Sequence, residues 1–420
     1  MKTCIYCFST FLIVLLVSSC SSSEEGTLYR INIEYDRNLF IQSIENHPLE
    51  RDILLGEMKE VESLIVNRFN NIQLGGFALK IGEDIFFADS LGIHKTDKQF
   101  QYITTIFFNE DYEKAINVGY RNEGLSMFTS LQYHKGKIYF IDNRVSSIKF
   151  MYLDGSNLKT ILELGDVAEV KYVDGHGYIH AGGITEFIIV NGKLYFNYFL
   201  HGARLHYINL NTGEIVDLNI ASTPILTLSP DGYSIQFTYN VDIVTYLDLE
   251  SHSIENAMPL NMDELIKNQK MGHMIYTTNT NGKLAFGTHL VTEGPVMYSR
   301  IFVINENGYA EEIHREEAHI YKSELYIRQI SMYLNSIGDW VYFIVNIPNL
   351  SVDMYRIKND GTNLELIYGD MLDETFATNH IFMNILSEDI IVWRRGLRQH
   401  QINVLIRDSN TGEFVNKRLN

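Results

Sequence analysis

The feature that most constrains this chain is a repeat. A short run of aromatic and β-branched residues follows a tight turn at Ile85-Phe86-Phe87-Ala88-Asp89, Ile138-Tyr139-Phe140-Ile141-Asp142, Leu194-Tyr195-Phe196-Asn197, Ser234-Ile235-Gln236-Phe237, Leu284-Ala285-Phe286, Val341-Tyr342-Phe343-Ile344 and Ile390-Ile391-Val392-Trp393. Most copies are introduced by a compact turn, as at Gly136-Lys137, Asn191-Gly192-Lys193, Asp231-Gly232, Asn281-Gly282-Lys283 and Gly338-Asp339. A second turn follows within the unit. Asp154-Gly155-Ser156-Asn157-Leu158 matches Asp360-Gly361-Thr362-Asn363-Leu364, Asn211-Thr212-Gly213-Glu214 matches Asn410-Thr411-Gly412-Glu413, and Asn305-Glu306-Asn307-Gly308 is looser. Asn-Gly and Asp-Gly adopt positive φ at little cost, which two-residue hairpins require.

The unit recurs about every 50 residues, room for four strands with their hairpins. Four-stranded sheets repeated around an axis bury both faces against their neighbours and leave few exposed edges. The expectation is therefore an all-β chain folded as a β-propeller. Seven blades of four antiparallel strands are counted between residues 70 and 420; six or eight remain open because the copies near 234 and 284 are weak. With 26 Tyr, 23 Phe and 29 Gly against 6 Pro, the composition suits strands joined by tight turns.

Residues 27–69 fall outside the repeat. Tyr29, Ile31, Ile33 and Tyr35 alternate with polar residues, as in a strand with one buried face. This segment is expected to pack on the ring or to complete its last blade, and a short helix is expected from Pro48.

The first nineteen residues carry one charge, Lys2, then the apolar stretch from Phe11 to Val17 and small residues before Cys20. That is the layout of a secretory leader, too short in its apolar part to span a bilayer, which takes roughly 20 apolar residues. Val17-Ser18-Ser19-Cys20 resembles the lipobox of bacterial lipoproteins, which implies removal of residues 1–19 and acylation of Cys20. Residues 20–26 then read as a polar tether. The expected address is extracytoplasmic, lipid-anchored to a bacterial plasma or outer membrane. Cys4 and Cys7 would leave with the leader, so the mature chain would have no free thiol for disulfides, nucleophiles or metal binding.

Lys137 through Asp142, followed by Ile148, Tyr152-Leu153-Asp154-Gly155-Ser156-Asn157-Leu158 and Ile161-Leu162, resembles the Tyr-Trp-Thr-Asp repeat of low-density-lipoprotein-receptor-type propellers. It is most similar to the bacterial domain of unknown function named after that likeness. The segment 338–368 matches in part. Here Phe stands in place of Trp, and the repeat's Asp is kept only at Asp89 and Asp142. The resemblance implies fold and extracellular setting and brings no catalytic residue.

Among reaction motifs, the His pairs 176/180, 201/206 and 314/319 lack zinc-protease spacing, and there is no calcium loop, nucleophile elbow or phosphate loop. No catalytic residue, metal ligand or cofactor is therefore assigned. A net charge of −18 opposes nucleic acid as a partner. Arg394, Arg395 and Arg398 form the only local basic spot and read as a solvated loop. His176 and His180, in a Gly-rich stretch, and Tyr198 and His201 are the candidate ligand-loop residues; Phe199 and Tyr298 are further surface candidates, and Glu311-Glu312 and Glu316-Glu317 read as a surface face. The function expected is binding of a protein or glycan partner through loops on one face. The alternative is an extracytoplasmic glycan- or peptide-processing enzyme with acidic residues at the channel mouth.

Overall fold

The computed structural model describes residues 76–419 with breaks, the longest at 109–127, 319–328 and 370–380. The leader, Cys20, the tether and the strand and helix expected within 27–69 lie outside the described residues, as do the turns at 231–232 and 281–282.

Seven four-stranded sheets follow one another along the described chain. The first comprises β1 (Ala78–Ile81), β2 (Asp84–Ala88), β3 (Gly92–Asp97) and β4 (Thr104–Phe108). The second comprises β5 (Phe128–His134), β6 (Lys137–Asp142), β7 (Ser147–Tyr152) and β8 (Lys159–Glu163). A two-stranded ribbon, β9 (Val170–Val173) and β10 (Gly177–His180), precedes the third sheet: β11 (Gly183–Val190), β12 (Lys193–Phe199), β13 (Ala203–Asn209) and β14 (Ile215–Ala221). The fourth is β15 (Thr227–Leu228), β16 (Ser234–Asn240), β17 (Ile243–Asp248) and β18 (Ile254–Ala257). After a short helix, α1 (Met262–Lys267), the fifth is β19 (Met274–Thr280), β20 (Lys283–Glu293), β21 (Val296–Ile304) and β22 (Ala310–Ala318). The sixth is β23 (Gln329–Ile337), β24 (Trp340–Ile347), β25 (Ser351–Lys358) and β26 (Glu365–Tyr368), and the seventh β27 (Ile381–Ser387), β28 (Ile390–Arg395), β29 (Ile402–Arg407) and β30 (Phe414–Arg418).

Each sheet is an antiparallel meander in sequence order. The periodicity of burial changes from inside outwards, and this explains why the second strands read as continuous apolar runs. All six residues of β6 are buried because the strand is covered on both faces, whereas the outermost β30 is mostly exposed.

Six neighbouring pairs of sheets pack face to face among the described residues. Phe86 and Ile93 of the first meet Ile138 and Phe140 of the second. Ile141 and Phe150 meet Phe187 and Phe196 of the third, whose Ile188 and Tyr195 meet Leu247 of the fourth. Ala285 and Val303 of the fifth meet Val341 and Phe343 of the sixth, whose Tyr342 and Ile344 meet Met383 and Trp393 of the seventh. Ile85 and Phe87 of the first sheet also pack on Val392 and Val404 of the seventh. Chain ends some 300 residues apart are therefore in contact, and the fold is a β-propeller. On the face of the fifth sheet turned away from the sixth, Leu265 of α1 packs with Leu284, Phe286 and Phe302.

The contact between the seventh and first sheets spans the full radius. Near the axis, Asn384 Oδ1 accepts the Ala78 N–H at 2.8 Å. At the rim, Lys417 Nζ donates to the Phe100 carbonyl at 2.7 Å. Among the described residues, the four strands of the seventh sheet all come from 381–418.

Innermost strands have no neighbour within their own sheet on the axial side, so their backbone groups there need other partners. Side-chain amides supply them. Gln132 of β5 donates to the Phe187 carbonyl at 2.5 Å and accepts the Ile189 N–H at 3.0 Å, both on β11. Asn335 of β23 donates to the Met383 carbonyl of β27 at 3.2 Å. Gln132, Asn335 and Asn384 occupy the same register, opposite Tyr139, Tyr342 and Val392.

The two ends of the sheets differ. At one, hairpins are tight: Asp154, Asn209, Asp248, Asp360 and Asp408 cap their own turns by accepting backbone N–H groups two residues on. Hydrogen bonds from those turns hold the carboxyls of Asp154, Asp248, Asp360 and Asp408 below the usual carboxylate range. The opposite end is where successive sheets are joined, through 109–127, 164–182, 222–226, 319–328 and 370–380. The remaining connection, 258–273, carries α1 back towards the tight turns, where Asn261 bonds to Ala310.

Candidate functional site

The long-connection end is also where the second strand of each sheet finishes. Counting from the turn in all but the fourth sheet, the sixth positions are Asp89, Asp142, Tyr198, Thr288, Val345 and Arg395, and one residue earlier Ala88, Ile141, Asn197, Gly287, Ile344 and Arg394. Buried polar side chains concentrate here.

In the first sheet, Asp89 Oδ1 accepts the N–H groups of Leu91 and Gly92 at 2.7 and 3.1 Å. His94 Nε2 lies 2.9 Å from the same oxygen and its Nδ1 lies 3.0 Å from Thr105 Oγ1, while the ring packs on Phe87 at 5.0 Å. Both ring nitrogens are thus engaged, and the pair holds the β2–β3 corner together. In the second sheet the fully buried Asp142 carboxylate pairs with Lys149 Nζ at 2.8 Å. In the third, buried Glu186 sits in a bulge of β11 and accepts from Asn197 at 3.3 Å. The two Asp residues retained from the repeat thus each hold a partner of their own sheet, and Asp89 also attracts Arg394 of the seventh.

The basic spot expected to be a solvated loop is not one at its start. Arg394 and Arg395 lie on β28, and Arg394 is only 3% exposed. Its register is that of Ile141 and Ile344, both fully buried, so its side chain is driven between sheets. The guanidinium lies 4.3 Å from the Phe77 ring and 5.6 Å from that of Phe382. Its Nε and Nη1 are buried and meet no hydrogen-bond acceptor among the described residues. Burial pushes its pKa down to about 9 while Asp89 pulls it up, so the group stays charged at neutral pH. Arg398 lies outside the described residues.

Of the candidate ligand-loop residues, His180 closes β10 of the ribbon leading into the third sheet. Tyr198, on β12, is paired with Ile184 and Arg204. Both backbones are at the long-connection end. Phe199 ends β12, paired with Gly183 and Ala203. His176, His201 and Cys20 are outside the described residues. Tyr298 is half-buried on β21 between the guanidiniums of Arg300 and Arg315, at 5.1 and 5.3 Å. Glu311, Glu312, Glu316 and Glu317 all lie on β22, the outermost strand of the fifth sheet, where His314 and Glu316 pair at 2.9 Å. Among the described residues no group of three or more His, Cys, Asp or Glu converges as a metal site.

No family model and no curated protein matches the chain. Solved structures do resemble it. Oligogalacturonate lyase from Vibrio parahaemolyticus aligns at 16% identity over 54% of this chain and 61% of its own, with a TM-score of 0.35. The propeller of a nidogen/laminin complex aligns at 8% over 66% and 91%, with 0.37. YCF48 bound to a D1 peptide aligns at 9% over 77% and 91%, with 0.44. The chain spans about three fifths of the lyase's length. With TM-scores under 0.5, these likenesses carry no argument about this chain, whose fold rests on its own sheets.

Proposed function

We propose that this chain is a lipid-anchored, extracytoplasmic seven-bladed propeller that binds a protein or glycan partner through the long-connection end. The observation that carries the reading is the asymmetry of the two ends. Tight, self-capped turns leave little surface to vary, whereas most of the segments that join sheets at the other end are longer, and the described strand ends there carry buried polar side chains. Binding residues concentrate on loops presented by a rigid scaffold. The leader and Cys20 supply the anchor in this reading, and the tether sets the propeller clear of the bilayer.

Two experiments test it. Cys20→Ala should move the protein from the membrane to the soluble fraction, and retention in the membrane would overturn the address. The soluble chain should select a defined protein or glycan from a purified panel. Replacing 370–380 by a Gly-Ser linker should abolish that binding, whereas substitutions in the 409–412 turn should not. Loss of binding from the turn variant instead would reverse the choice of face. Turnover of a panel glycan or peptide by the purified chain would replace the binder by an enzyme.

A further inference from the structure

A guanidinium at this register position needs an explanation, because Ile141 and Ile344 fill it with no polar group to satisfy, and the buried amide of Asn197, which fills it in the third sheet, is bonded to Glu186. Arg394 instead brings a charge into the junction of the seventh and first sheets, next to Phe77 and Phe382. Its Nε and Nη1 have no acceptor among the described residues. Asp89 attracts it through space, yet Asp89 Oδ1 is occupied by two backbone N–H groups and His94. Buried donors without partners are rare in folded proteins, and a missing ligand, ion or water is among the usual reasons.

We propose that Arg394 anchors a carboxylate of the bound partner, reached from the long-connection end, and that the partner presents it on an acidic peptide segment. The proposal rests on the reading of that end as the recognition face. Charge favours a carboxylate over a phosphate: one guanidinium beside the Asp89 carboxylate offers little surplus positive field, enough for a monoanion but not a dianion. Shape favours a peptide over an acidic sugar. The guanidinium is recessed, with 3% of the residue exposed, and a Glu side chain is a slender flexible arm, whereas a uronate carboxylate is fixed directly to a bulky ring. The net charge of −18 repels an acidic partner at long range, and salt screens that repulsion while leaving the buried contact nearly untouched. Binding is therefore expected to hold or strengthen as ionic strength rises, the opposite of a surface ion pair.

The test uses the full mature chain made soluble by Cys20→Ala. Calorimetric titrations compare acetyl-Gly-Gly-Glu-amide with its Gln isostere, glucuronate and inorganic phosphate. The Glu peptide should bind at least tenfold more tightly than the Gln peptide. Arg394→Met should lose that preference while melting cooperatively; should it fail to fold, Arg394→Lys, which keeps a charge without the planar fork, should weaken the Glu peptide at least tenfold. Equal binding of the two peptides, unchanged Glu-peptide binding by the variants, or preference for glucuronate or phosphate would overturn the proposal. Partner selection from the panel without Glu-peptide binding sinks this site and leaves the recognition face standing. Glu-peptide binding without any effect of replacing 370–380 on partner selection does the reverse.

Discussion

Replacing Gln132 by Leu isolates the device that ties one inner strand to the next. The side chain is buried and spans two sheets, donating to the Phe187 carbonyl and accepting the Ile189 N–H. Leu has a similar volume, so the cavity contribution is small and the change removes mainly two hydrogen bonds. Each is worth about 1 kcal/mol net, and two backbone groups of β11 are left unpaired on the buried axial side, each at about 1–3 kcal/mol. Allowing for partial relaxation, the loss should be about 2–4 kcal/mol. Equilibrium denaturation should show a lower midpoint with an unchanged slope, since the same surface is exposed on unfolding. Gln132→Glu adds a sign test. It keeps an acceptor for Ile189 but sets a carboxylate against the Phe187 carbonyl, so its folded-state pKa should rise above the unfolded value of about 4.3. The protonated acid donates as the amide did, and the variant should approach wild type as pH falls below that value and worsen as pH rises. A Gln132→Leu loss below about 0.5 kcal/mol, or a Gln132→Glu penalty independent of pH, would refute the reasoning.

Other outcomes follow from the same geometry. Arg356 and Arg394 are both buried, but Arg356 bonds to Glu365 through Nε at 2.8 Å and stacks on Trp340 at 4.1 Å. Arg356→Met should therefore cost about 2–4 kcal/mol by thermal or chemical melting, whereas Arg394→Met should cost less than about 1 kcal/mol because the Arg394 Nε and Nη1 have no partner among the described residues to lose; equal losses would contradict the contrast. Burial beside Lys135 and Lys137 pushes the His134 pKa down to about 4 from its usual 6.5. Neutral His134 is thus favoured by folding, and stability should fall as pH drops from about 6.5 to about 4, by at most about 3 kcal/mol and less where solvent reaches the ring. His134→Gln should flatten that slope in a pH series of melts. Gly155 has φ +84°, and a Cβ there would run into the Ile106 carbonyl oxygen of the neighbouring sheet. Gly155→Ala should cost more than about 1 kcal/mol, and a neutral result would mean that the turn does not seat against β4.

The repeat was readable because its signals are local. Turn chemistry at Asn191-Gly192 and Asp154-Gly155 depends on positive φ within a few residues, and the second strands are apolar throughout because both their faces are covered. The site was less readable because it depends on register across sheets. Glu388-Asp389 serves as a two-residue turn without Gly or Asn, so alignment on Ile390 as the counterpart of Ile85 slips by one residue; the structure pairs Ser387 with Ile390, which puts Arg394 at the position of Ile141. A one-residue slip exchanges the faces of a strand. A basic cluster by itself reads as a solvated loop, and only the register places its first arginine between sheets. The Gln132, Asn335 and Asn384 clamps carried a faint signal, an amide at one register of an otherwise apolar strand, visible only once the strands are aligned on their turns.

The ring closes by direct packing of the first sheet on the seventh. Spin labels on Gln99→Cys and Lys417→Cys, in a chain whose Cys20 is replaced by Ala, report on that junction, because Lys417 reaches the carbonyls of Gln99 and Phe100. The account predicts one narrow distance distribution at the short limit of pulsed electron resonance. A long or broad distribution in the folded protein would mean that the two sheets do not meet, and the ring would be open.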